Sequence, residues 1–169
     1  MGVLTYHLPH LNNRRSICAK VETFCLVTKG HKGVKMSIPP ILLSMMVCDT
    51  TIRDIQSKKI SLIGCFSGFV TKEVPYIVNN FSLFICLTEG SGAVPLILRI
   101  RNLQNNDLIF KHDSVAVFSN SITPTELVFI LGGIKFPEYG QYAIELGTDK
   151  EFIGSVKISV SKPQNKDSL

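Results

Sequence analysis

From Ile38 onward the chain is built of short apolar runs separated by clusters of Gly, Pro, Asn, Asp and Ser, with almost no run that repeats every three or four residues. Runs of this length, punctuated every 8–12 residues or so, form strands rather than helices. The alternation is plainest in Val94–Leu103, where Val94, Leu96, Leu98 and Ile100 share one face and Arg99 and Arg101 the other. The same reading places strands at Ile41–Cys48, Phe81–Leu87, Leu108–Phe110, Val115–Phe118 and Thr125–Ile134. Ile60–Val70 is expected as one long strand, bent near Gly64 and Gly68. Pro75–Asn80 is expected as a crossing loop, and Thr88–Gly92 as a hairpin loop. Tyr142–Leu146 and Phe152–Val160 form a closing hairpin across Gly147–Lys150. Together these elements predict an all-β fold, an antiparallel immunoglobulin-like β-sandwich of about eight strands.

One stretch carries a more specific mechanism. In Phe136-Pro137-Glu138-Tyr139-Gly140-Gln141-Tyr142-Ala143-Ile144, Pro137 and Gly140 shape a corner and Tyr142 opens a strand. In immunoglobulin-like sandwiches a Tyr at such a corner turns its hydroxyl back onto the preceding backbone. Tyr142, Gly140, Pro137 and the next inward residue, Ile144, are therefore assigned structural roles.

Charge is distributed unevenly. The net charge is +5. Residues 1–35 hold Arg14, Arg15, Lys20, Lys29, Lys32 and Lys35 against Glu22 alone, which accounts for all of it. From Met36 onward 12 basic residues face 12 acidic ones. The basic segment has neither the uninterrupted apolar run of a secretory signal nor the Arg-rich amphipathic pattern of a mitochondrial presequence. Its sixth residue, Tyr6, does not fit the myristoylation motif. Residues 1–35 are expected to be a disordered N-terminal extension or an upstream misplacement of the start, with Met36 as the initiator. Residues 36–162 form the sandwich domain and 163–169 a polar tail. A neutral domain supplies no field for nucleic acid, and no apolar run is long enough to span a bilayer as a helix. Five cysteines without an export signal suggest free thiols and a cytoplasmic, soluble protein.

Four blocks point to a known family: Leu43-Ser44-Met45-Met46-Val47-Cys48-Asp49, Ile60-Ser61-Leu62-Ile63-Gly64-Cys65-Phe66, Phe81-Ser82-Leu83-Phe84, and the Pro137-x-x-Gly140-x-Tyr142 corner with Phe136 before it. On these, residues 36–161 resemble an uncharacterised bacterial family of small single-domain β proteins, known only as a domain of unknown function. The resemblance implies a short cytosolic protein that begins just before the first strand, usually with an aliphatic residue where Cys65 stands. It implies no activity.

The chemistry-bearing residues are sparse. His112 is the one histidine after residue 35, placed in a turn-like stretch between two short strands. Cys48, Cys65 and Cys86 lie in apolar strands and are expected to be buried, inert thiols. No close Cys or His pair suits zinc. Asp49, Asp54, Asp107 and Asp113 are expected as solvated loop acids rather than calcium ligands. Glu138 and Glu145 face solvent, and Arg99 and Arg101 lie on a solvated sheet face. No catalytic, cofactor-binding or metal residue is assigned, and no cofactor is expected. The expected function is a non-catalytic interaction module with a protein partner. A second reading is a small-molecule or sugar site in the end loops Val74–Asn80, Asn102–Asp107 and Ile134–Tyr139. A third, from which the sparse chemistry leans away, is an enzyme using loop carboxylates with His112. An exposed apolar patch would mark the first, a deep polar pocket around His112 the third. A chain beginning at Met36 is expected to melt within a few degrees of the full chain; a larger drop by calorimetry would give residues 1–35 a place in the core.

Overall fold

The computed structural model describes residues 38–164, so the readings for residues 1–35 and for the tail from 165 lie outside it. The described residues form nine strands: β1 (Ile41–Arg53), β2 (Ile60–Cys65), β3 (Gly68–Val70), β4 (Tyr76–Thr88), β5 (Gly92–Asn102), β6 (Leu108–Phe118), β7 (Thr125–Phe136), β8 (Gly140–Gly147) and β9 (Phe152–Ser161). They make a four-stranded sheet, β2-β1-β4-β7, and a five-stranded sheet, β3-β9-β8-β5-β6. There is no helix among them.

Alternation explains the core. Leu83, Ile85 and Leu87 of β4 and Leu127, Phe129 and Leu131 of β7 are buried from one sheet. Leu96, Leu98 and Ile100 of β5 and Tyr142, Ile144 and Leu146 of β8 are buried from the other. All belong to one apolar cluster. Each such side chain gains roughly 1.5–3 kcal/mol from burial.

Five local expectations are corrected. Ile60–Val70 is not one strand: it breaks after Cys65, and β3 crosses to the other sheet, where it runs parallel to β9. Gly68 permits that crossing, because a Cβ there would stand 2.6 Å from the carbonyl oxygen of Ser159. Tyr76–Asn80 is not a loop but the first part of β4, paired with β7 from Tyr76↔Phe136 onward. Thr88–Gly92 is not a hairpin within a sheet: it carries the chain from β4 in one sheet to β5 in the other. Leu108–Phe118 is one strand, because Lys111 and Asp113 are tolerated on its exposed face while Ala116 and Phe118 are buried. Finally β7 runs on past Ile134 to Phe136.

The β1–β2 hairpin departs from the plane of its sheet. β1 pairs with β4 only as far as Cys48↔Ser82, and β2 continues the pairing alone. Gly64 takes a left-handed φ of 66°, and the Asp49 carboxylate fills the space a Cβ would need. Beyond that point the hairpin bends back over the outer face of the four-stranded sheet. Arg53 reaches Glu126 of β7 at 3.0 Å, and Cys48 Sγ lies 3.5 Å from Thr51 Oγ1. The cover explains why Cys48 and Ser82 are buried although Val47 and Leu83, their neighbours in sequence, are the residues pointing into the core.

Truncating Phe129, which is 1% exposed, to Ala is expected to cost about 3–5 kcal/mol through lost burial and a cavity. Ile63→Ser, on the exposed side of β2, should stay within about 0.5 kcal/mol. Denaturant titration of the two variants checks the ranking.

Candidate functional site

The corner before β8 forms one end of the sandwich. The Tyr142 hydroxyl donates to the Glu138 carbonyl at 2.8 Å and accepts from the Glu138 N–H at 3.3 Å. Its ring is fully buried and meets Phe136 edge-on at 4.9 Å. Burial pushes the Tyr142 phenol above the usual tyrosine range. Gly140 packs against Gln104, and Ile144 lies in the core.

Around the corner the end loops are tied to one another. Asn105 Nδ2 donates to Glu138 Oε1 at 3.4 Å, and the Tyr139 hydroxyl donates to the Lys72 carbonyl at 2.7 Å. The Lys162 ammonium sits 5.2 Å from the centre of the Tyr139 ring. Of the three segments nominated for an end-loop site, Asn102–Asp107 and Ile134–Tyr139 meet through Asn105 and Glu138. Tyr76–Asn80 and Ile134–Phe136 are strand, and their backbone is spent on the ladder between β4 and β7. Asn102 Oδ1 accepts from the Gln104 N–H at 2.9 Å, while its buried Nδ2 has no acceptor. A half-open depression borders Ser67, Gln141, Lys157 and Ser159.

His112 is not in a turn. It lies in the middle of β6, stacked on Phe110 at 6.4 Å and edge-on to Phe129 at 6.2 Å. Its neighbours Lys111 and Asp113 pair with each other at 3.2 Å on the opposite side of the strand. Among the described residues no three His, Cys, Asp or Glu side chains converge as metal ligands would. The cysteine expectation is corrected in part: Cys48 is buried, Cys86 is half-buried and Cys65 is exposed. Cys65 escapes burial because β2 is an edge strand. Burial, with the Glu126 carboxylate adding to it, pushes the Cys86 thiol up. Glu145 is not a free solvent-facing acid, since Arg101 Nε donates to it at 3.2 Å and both are only partly exposed.

The outer face of the five-stranded sheet divides into two halves. Arg99, Arg101, Lys111 and Glu145 occupy one half through the pairs Arg99↔Lys111, Arg99↔Glu145 and Arg101↔Ala143. The other half is mainly apolar, with Asp113 at its border opposite Ile97. Ala93 faces Val117, Pro95 faces Val115, and Ile97 faces Gly147, whose partner on β9 is Phe152. Val115 is 48% exposed and Phe152 67%. Pro95 is admitted because β8 pairs with β5 only from Ile97 onward, so its missing N–H falls where no strand needs it. Residues 93–98 are apolar on both faces of the strand in the sequence. The sequence did not show that β8 stops short, and so the patch was missed.

Residues 43–161 match the model of a family described as "Family of unknown function (DUF6941)". The chain belongs to that family. Its resemblance in the four core-and-corner blocks is thereby carried by a match over most of the domain. No curated protein matches the chain. Among solved structures it is similar to a Bacillus anthracis protein described as a "Putative Lipoprotein", at 11% identity and a TM-score of 0.34, covering 67% of this chain and 84% of that one. It is also similar to an uncharacterized protein from Bacillus anthracis str. Ames, at 18% identity and a TM-score of 0.26, covering 57% of this chain and 86% of that one.

Removing the hydroxyl alone, Tyr142→Phe, is expected to cost about 1–3 kcal/mol, since both Glu138 backbone groups lose their partner. Ile144→Ala should cost roughly 2–5 kcal/mol, and Glu145→Ala about 0.2–1 kcal/mol through the Arg101 pair. Equilibrium unfolding of the three variants tests the order. The raised phenol also sets a pH dependence. Its stabilisation is complete below the ordinary tyrosine pKa and is lost as pH rises through the folded value. Spectrophotometric titration of the parent chain against Tyr142→Phe should find the Tyr142 phenol ionising above the usual tyrosine range; ionisation within that range would remove the buried hydroxyl.

Proposed function

We propose that this protein is a non-catalytic binding module whose contact surface is the apolar half of the five-stranded sheet's outer face, and that its partner is a protein. The observation that carries this reading is the set Ala93, Pro95, Ile97, Val115 and Phe152 beside the charged half formed by Arg99, Arg101, Lys111 and Glu145. An apolar centre flanked by charge is how protein interfaces are composed. An exposed apolar patch of this kind marks interaction sites more often than it marks chance. Nucleic acid is disfavoured by the balanced charge of the chain after Met36. A cytoplasmic location belongs to this reading and draws support from the free thiols of Cys48, Cys65 and Cys86.

The sandwich itself is assigned to the immunoglobulin-like class. Support comes from the strand order: β4 and β7 share one sheet while β5, β6, β8 and β9 share the other, the division of B and E from C, C′, F and G. Tyr142 at the start of β8 then stands where that class places its corner tyrosine. On this reading Tyr142, Gly140, Pro137 and Ile144 serve stability rather than binding.

Val115→Lys with Phe152→Lys should abolish partner binding, and Ile63→Lys, on the other sheet, should leave it intact. The measurement is affinity capture from the native host with mass-spectrometric quantitation, all three chains being matched for melting temperature. At least a tenfold loss of one defined protein, or about 1.4 kcal/mol, is expected for the double variant alone. Equal recovery by the double variant and the Ile63→Lys control would overturn the surface assignment.

A further inference from the structure

Cys48 and Cys65 stand directly opposite each other on the antiparallel strands β1 and β2. The Phe66 N–H donates to the Val47 carbonyl at 3.2 Å, so Val47 and Phe66 form the hydrogen-bonded pair of the ladder. The next pair, Cys48 and Cys65, is then of the non-hydrogen-bonded kind, whose Cα atoms lie about 4.5 Å apart with side chains closer than elsewhere in a sheet. That spacing falls within the roughly 4.4–6.8 Å a disulfide requires. Val47 and Phe66 both pack on the core. Their neighbours Cys48 and Cys65 therefore share the outer face, as directly opposed residues do. Both thiols are free, Cys65 exposed and Cys48 buried beneath the hairpin, with its Sγ 3.5 Å from Thr51 Oγ1.

We propose that Cys48 and Cys65 are a thiol–disulfide exchange site that takes a small-molecule disulfide and closes a cross-strand bond at the base of the β1–β2 hairpin. The exposed thiol reacts first. The Cys65 sulfur, as thiolate, attacks one sulfur of the disulfide RSSR, giving a mixed disulfide and releasing RS⁻. Cys48 then turns from Thr51 toward its cross-strand partner, loses its proton to water and attacks Cys65 Sγ. The Cys48–Cys65 bond forms, the bond to R breaks, and a second RS⁻ leaves. The two thiolates take up the two protons given by the cysteines. The protein dithiol is oxidised by two electrons and RSSR is reduced to two RSH. In a reducing compartment the resting state is the dithiol. Oxidation staples residues 49–64 at their hinge, beside Gly64 and Asp49, and so fixes the hairpin over the sheet face it covers. Cys86 takes no part, because it stands on β4 opposite Ser44, four residues along β1 from Cys48.

The test uses the full chain and oxidised glutathione as the disulfide. Intact mass should show loss of two hydrogens with no lasting adduct, and mapping should find Cys48 joined to Cys65. Trypsin cleavage between Arg53 and Lys59 should then leave two fragments linked until reductant is added. Cys48→Ser should stop at a stable glutathione adduct on Cys65, and Cys65→Ser should form neither adduct nor bond at Cys48. The mapping of the unmodified sequence stands alone if either variant fails to fold. A persistent adduct on Cys65 of the parent chain, or a dominant bond to Cys18, Cys25 or Cys86, would overturn the proposal.

Discussion

The apposition of two alternating apolar faces is the constraint on which the rest of the structure depends. Leu83, Ile85, Phe129 and Leu131 from one sheet must find Leu98, Ile100, Ile144 and Leu146 from the other, because neither sheet can bury its face alone. Register follows from this. A slip of one residue in β4 or β5 would turn the whole row outward and leave polar residues facing the core. Once the rows are locked, the position of every outward residue is set as well, including the two halves of the five-stranded sheet's outer face.

Burying a tyrosine in that interface adds a second demand. The Tyr142 ring contributes apolar area to the core, but its hydroxyl must be satisfied where it is buried. The corner answers by presenting both the N–H and the carbonyl of Glu138 to the same oxygen. Asn105 and the Tyr139–Lys72 bond extend the tie to neighbouring loops. An end of the sandwich that could have opened into a ligand cleft is instead cross-braced.

The four-stranded sheet shows a different economy. Its edge strand β2 does not simply extend the sheet but turns, at Gly64 and Asp49, so that the hairpin shields part of the outer surface. A flat open edge invites pairing with other chains, and a bend with charged residues such as Arg53, Lys58 and Lys59 at the tip discourages it. The same bend leaves one cysteine of an opposed pair covered and the other in solvent, an asymmetry that gives attacking and resolving thiols distinct roles.

Much of the fold was legible from local signals. Alternation in Val94–Leu103, the Pro137–Gly140 corner and the Gly147–Lys150 turn each require only neighbouring residues, and each lies in or beside the strand expected of it. The all-β class and most of the inward set were thus settled by period and turn chemistry. What failed to be legible depends on which strand pairs with which. The transfer of β3 to the second sheet, the passage of Thr88–Gly92 between sheets and the continuity of β6 through His112 are all decided by partners distant in sequence. So are the end of β8 opposite Ile97, which leaves Pro95 and Phe152 as a patch, and the facing of Cys48 by Cys65. A residue's face is a property of its own strand, whereas what covers that face belongs to the tertiary structure, because burial is a relation between two surfaces and only one of them is written locally.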